Sequence, residues 1–89
     1  MSELQEYTGK KIVVDTKTPY IYLGNLVSED MDYITLSDVD VHDHSSTLVS
    51  RDLYIIEAVK YGIKVNRKQV KLMRKEIVSI SLLEDIVVF

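Results

Sequence analysis

The 89-residue sequence predicts a mainly β, single-domain protein: a small, strongly bent sheet of five antiparallel strands, with a short N-terminal helix and a helical segment inserted between strands three and four. Three observations carry this expectation. Short β-branched runs alternate with turn residues at close intervals. A glycine, Gly24, stands inside an apolar strand, where it marks a bend, a bulge or a close backbone approach. The apolar parity of the third strand changes near Ser37 and Asp38, so the strand slips a residue to keep one side inward.

In chain order, Ser2 and Gln5 have capping-box form, and Leu4 and Tyr7 give one apolar face to an opening helix that ends before Gly9. The run KKIVVDT from Lys10 reads as a first strand, closed by Lys17, Thr18 and Pro19. A second strand, Tyr20 to Ser28, places Tyr20, Tyr22 and Leu26 on one face and Ile21, Leu23 and Val27 on the other, so burial on both sides is expected. The acidic turn from Glu29 to Asp32 leads to a third strand whose apolar pairs are Ile34 with Leu36 and Val39 with Val41. Then SSTLVSRDLYIIEAVKYG offers a serine or threonine cap and a glycine stop at Gly62. Residues 47–61 fit a helix of about three turns, although YIIEAV also fits a buried strand. Asn66 suits a left-handed turn. Strands four and five follow at Gln69 to Arg74 and Ile77 to Ser81, and the terminal LLEDIVVF is apolar enough to dock.

Size and composition bound the function. A single domain over residues 1–89 has a thin core, and the absence of cysteine removes disulfides and thiolate metal sites, which leaves tight packing or self-association as support. The opening MSELQEYTGKK has no apolar h-region and no apolar run approaches the ~20 residues of a membrane span, so a cytoplasmic protein without membrane association is expected. The net charge is −3, yet Lys60, Lys64, Arg67, Lys68, Lys71, Arg74 and Lys75 fall in a segment without an acid. Such a block is usually a solvated face; on an acidic body it can also focus an anion site, while the overall acidity argues against bulk coating of nucleic acid.

The order of these features resembles the Sm and Sm-like (LSm, Hfq-like) family over most of the chain. Gly9, Lys10, Ile12 and Val14 look like that family's opening G-K-x-V-x-V; Gly24, Leu26 and Asp30 fit G-x-L-x-x-x-D; Leu36, Asp38 and Val39 look like L-x-D-V. Arg74, Lys75, Glu76 and Ile77 stand where the second motif places its basic residue, with a spacing nearer the Lys-His-x-Ile of Hfq than the Arg-Gly of other members. The family's Met-Asn after the Asp is missing, Asp32 and Tyr33 filling that region, which puts uridine specificity in doubt. The resemblance implies an SH3-like small barrel and a homo-oligomeric ring of roughly six or seven copies, in which strand four of one subunit pairs with strand five of the next. It also implies that the loops after strands two and four meet at a pore carrying Asp30, Tyr33, Arg74 and Lys75.

On that reading the leading function is single-stranded RNA binding at the pore, as a ribonucleoprotein component, with no cofactor and no enzymatic activity. Arg74 would donate to a phosphate or base edge, Lys75 would add charge, and Tyr33 would stack on a base or pack as an ordinary strand aromatic. Asp30 would orient neighbouring donors or close its own turn, since a bare carboxylate repels phosphate. One alternative is a structural or protein-interaction ring without RNA. Another is a metal module on Asp40, His42 and His44, because Asp38, Asp40, His42 and His44 alternate along an extended strand. With Val39 and Val41 buried opposite, that acid–histidine face is expected in solvent. No nucleophile signature or glycine-rich phosphate loop accompanies it.

Overall fold

Strands β1 (Lys11–Thr16), β2 (Tyr20–Glu29), β3 (Tyr33–Asp43), β4 (Arg67–Met73) and β5 (Ile77–Leu82) form one antiparallel sheet in the computed structural model, which describes residues 4–45 and 50–88. Their order is β4-β3-β2-β1-β5, and helix α1 (Arg51–Tyr61) lies between β3 and β4 in the chain. The β-branched and aromatic residues that fill these strands suit a pleated, half-buried surface. Alternation along β1 sends Ile12 and Val14 into one apolar cluster, with Leu26, Ile34, Leu36, Val39 and Leu72, and sends Val13 into a second with Ile21 and Leu23.

Two bulges bend the long strands. Pairing steps from Leu23↔Asp40 to Asn25↔Ser37, which leaves one extra residue on β3, and Asp38 accommodates it with a φ of 51°. This is the slip expected from the parity change. Opposite it, a Cβ on Gly24 would lie 3.1 Å from the Ser37 carbonyl oxygen and 3.2 Å from Val39 Cγ2, so the backbones close to a distance that a larger residue would force apart. The second bulge lies between Leu26↔Leu36 and Ser28↔Thr35. Val27 is its extra residue and is 48% exposed, which corrects the expectation of burial there. Tyr20, at the open start of β2, is exposed as well.

Helix α1 settles the alternatives for residues 51–61. Ser50 Oγ accepts from the Leu53 N–H at 3.1 Å, and the Gly62 N–H donates to the Ala58 carbonyl at φ 92°. Its Ile55 and Ala58 close the second cluster, where Tyr54, Ile63 and Ile86 add partly buried surface. The N-terminal helix is shorter than expected. Only a 3-10 turn forms, Gln5–Tyr7, because the Gly9 N–H already donates to the Leu26 carbonyl at 2.7 Å and draws the chain into the sheet; Ser2 lies outside the described residues. Leu4 and Tyr7 still pack on the first cluster. At the other end Leu83 is buried and Ile86 packs, whereas Val87 is exposed, so docking ends there. Among the described residues no helix is long and apolar enough to cross a membrane.

Candidate nucleic-acid interface

The turns after β2 and β4 meet because β3 and β4 pair over most of their length. Tyr33 opposes Met73 in the ladder, and the Arg74 N–H donates to the Asp32 carbonyl at 2.8 Å. Between the turns lies a groove of about 260 Å³ lined by Met31, Asp32, Tyr33, Met73, Arg74 and Lys75. Three of the four residues singled out in the sequence therefore share one groove, and Asp30 stands beside it. A larger hollow, about 360 Å³ between α1 and the start of β1, is lined by Lys10, Lys11, Val59, Leu83 and Glu84 and contains none of them.

Within the groove the side chains hold distinct positions. Asp30 Oδ1 accepts from the N–H groups of Asp32 and Tyr33, both at 2.8 Å, which makes it a turn-closing carboxylate. These two amides hold its pKa below the ordinary value, with smaller help from Lys71 and Arg74. Arg74 Nη1 donates to Glu29 Oε1 at 2.7 Å and to the Asp30 carbonyl at 3.2 Å, so the guanidinium is engaged by the neighbouring turn. Lys75 is exposed. Met31 is 92% exposed and adds a flexible apolar surface to the rim. Lys71 Nζ stands 5.3 Å from the Tyr33 ring centroid. Sequence reasoning does not single out Glu29 or Met31 and names Lys71 only within the basic block, although period-two alternation along β4 puts Lys71 on the face of Met73.

The acid–histidine face is only partly in solvent, because Tyr54 of α1 covers Asp40 and His42. Asp40 is 5% exposed; its Oδ2 accepts from the Tyr54 hydroxyl and its Oδ1 from Asn66 Nδ2 at 3.0 Å. Asn66 also donates to the Val41 carbonyl at 3.1 Å and accepts from the Val41 N–H at 3.0 Å, so it stitches the start of β4 to β3, and it does not adopt the left-handed turn expected of it. His42 stacks on Tyr54 with ring centroids 3.8 Å apart and an interplanar angle of 11°. Asp38, on its bulge, is exposed and separated from this set, and the His44 backbone N–H ties to the Pro19 carbonyl at 3.1 Å. Among the described residues no three His, Cys, Asp or Glu side chains gather as a metal site. Tyr54 ionises above its ordinary range, first because it is partly buried and then because it donates to Asp40.

A bent five-stranded antiparallel sheet with these bulges and one helix is an Sm-like fold. Comparison with solved structures gives the same architecture. The Sm protein of Pyrococcus abyssii in complex with a uridine heptamer is 14% identical with a TM-score of 0.60, over 89% of this chain and 90% of that one. A chain of the NatC complex bound to CoA is 18% identical with a TM-score of 0.60, over 92% and 86%. The NatC complex bound to Gag peptide and CoA gives 18% and 0.60, over 90% and 90%. At such identities the likeness establishes the fold. No protein-family model and no curated protein sequence matches the chain.

Proposed function

We propose that this chain is a non-enzymatic subunit of a homo-oligomeric Sm-like ring in the cytoplasm that binds single-stranded RNA where the β2–β3 and β4–β5 turns meet. The observation that carries the reading is the convergence of an aromatic, Tyr33, and the cations Arg74 and Lys75 on one groove at the tip of a bent sheet, with the Lys71 ammonium over the Tyr33 ring. Stacking on an aromatic contributes about 1–3 kcal/mol per base and tolerates any base, and repetition around a ring would focus the cationic charge on a phosphate backbone. Assembly is supported by the strand order. β4 and β5 stand at the two ends of the sheet, so each offers one row of backbone groups to another chain. A concave surface of about 500 Å³ flanks β5 and is lined by Leu4, Tyr7, Arg74, Ile77, Val78, Ser79 and Ile80, a fitting seat for a neighbour's strand. The uridine heptamer held by the archaeal Sm protein of the same fold favours RNA as the ligand class.

A second reading has its own support: a protein-interaction subunit without RNA. The net charge of −3, the engagement of Arg74 by Glu29 and the likeness to a chain of the NatC complex all favour it. Titration of labelled oligo-uridine and oligo-adenine at low salt separates the two. The RNA reading expects binding that weakens steeply with salt and drops on Tyr33→Ala with Lys75→Ala; absence of binding by an intact oligomer would leave the interaction reading standing.

A further inference from the structure

We infer that Lys71, beside the groove at the Tyr33 ring, is a cation that meets a phosphate, and that Glu29 fixes Arg74 as a positioning residue. This rests on the RNA reading and refines how the groove would hold its ligand. Arg74 is tied to the β2–β3 segment at three points: its backbone N–H to the Asp32 carbonyl at 2.8 Å, and its guanidinium to Glu29 Oε1 at 2.7 Å and the Asp30 carbonyl at 3.2 Å. The Glu29 side chain is only 12% exposed, so withdrawing the guanidinium toward a ligand would break a charge-assisted bond to a largely buried carboxylate. An arginine so held has its charge offset by the Glu29 carboxylate and joins the two turns.

Lys71 has the opposite circumstances. It is exposed, lies on the edge strand β4 opposite Thr35, and so stands diagonal to Tyr33 across the ladder. Its ammonium is 5.3 Å from the Tyr33 ring centroid. A base stacking on that ring would take the place of the ammonium over it, and the flexible lysine stem would then let the displaced charge reach a flanking phosphate. A long lysine meets phosphate as a point charge without a fixed approach, so it can follow the backbone where a clamped guanidinium cannot.

The experiment is the salt dependence of binding of labelled oligo-uridine and oligo-adenine to the assembled protein, for the wild type, Lys71→Ala, Lys71→Arg, Arg74→Ala, Arg74→Lys and Glu29→Gln. Lys71→Ala is expected to weaken both oligonucleotides and to flatten the log K against log salt slope by roughly 0.7 for each phosphate no longer neutralised, with Lys71→Arg restoring the slope. Arg74→Ala is expected to lower affinity and unfolding midpoint with the slope unchanged, and Arg74→Lys to fail to restore affinity because an ammonium cannot reproduce the guanidinium fork. Glu29→Gln, which loosens Arg74, is expected to lower the unfolding midpoint as well. A slope unchanged in Lys71→Ala but reduced in Arg74→Ala, with rescue by Arg74→Lys, overturns this assignment while leaving RNA binding intact. A wild-type oligomer that binds neither oligonucleotide overturns both.

Discussion

Asp40 shows how a polar residue on a strand becomes part of a core. Buried beneath α1, it takes donors from Tyr54 and Asn66, and the two bonds pin the helix and the entry to β4 onto the same strand. Tyr54→Phe keeps the ring stacked on His42 but leaves one acceptor oxygen unmet, and is expected to cost about 1–3 kcal/mol in urea unfolding. Tyr54 also sets an alkaline limit. Its folded pKa lies above the unfolded value of 10.0, so its stabilising contribution is complete below pH 10 and is lost as the pH rises beyond it. Unfolding midpoints on either side of pH 10 should therefore fall less in Tyr54→Phe than in the wild type. The acid side works with the opposite sign. Asp30 and Asp43 are held below their ordinary 3.8, Asp30 by the Asp32 and Tyr33 amides and Asp43 by the Ser45 hydroxyl and amide. Their contribution is present above pH 3.8 and disappears as the pH falls through the depressed values. Carboxyl NMR titration of Asp30 should show a midpoint below 3.8 that returns toward normal in urea.

At the level of elements, the bends matter more than the strands. Gly24→Ala places a methyl 3.1 Å from the Ser37 carbonyl oxygen, at the bulge that turns β2 and β3, and is expected to destabilise by about 1–3 kcal/mol in denaturant unfolding. A negligible change in the unfolding midpoint, with amide shifts confined to neighbours, would mean that the bend does not depend on that close approach. The bulge and Gly24 were both legible in the sequence, since a parity break and a strand glycine are local signals. So was the stop of α1 at Gly62, whereas its start, capped by Ser50, and its being helix and not strand were left open by the sequence. Val27 was not, because a second register shift leaves no mark in an apolar run.

For the whole molecule, the sheet ends on β4 and β5, and the proposed assembly joins one to the other across copies. Val78 on β5 is 66% exposed, so Val78→Lys should leave the isolated fold intact and place a charge in the interface. Native mass spectrometry is expected to show an oligomer for the wild type and a shift to monomer for the variant. A folded wild-type monomer at high concentration would defeat the assembly and, with it, the repeated cation site.

The sequence by itself determined the five strands, the bent geometry and the stop of α1 at Gly62, because periodicity and turn chemistry act within a few residues. It also brought Tyr33, Arg74 and Lys75 to one place, through the family's order of motifs. Only the tertiary structure decided which polar residues are buried and which cations are engaged. Arg74 and its Glu29 partner are 45 residues apart, and Asn66 and Asp40 are 26 apart. Such pairs form when folding brings distant segments together and burial makes an unpaired carboxylate costly. No local pattern announces them.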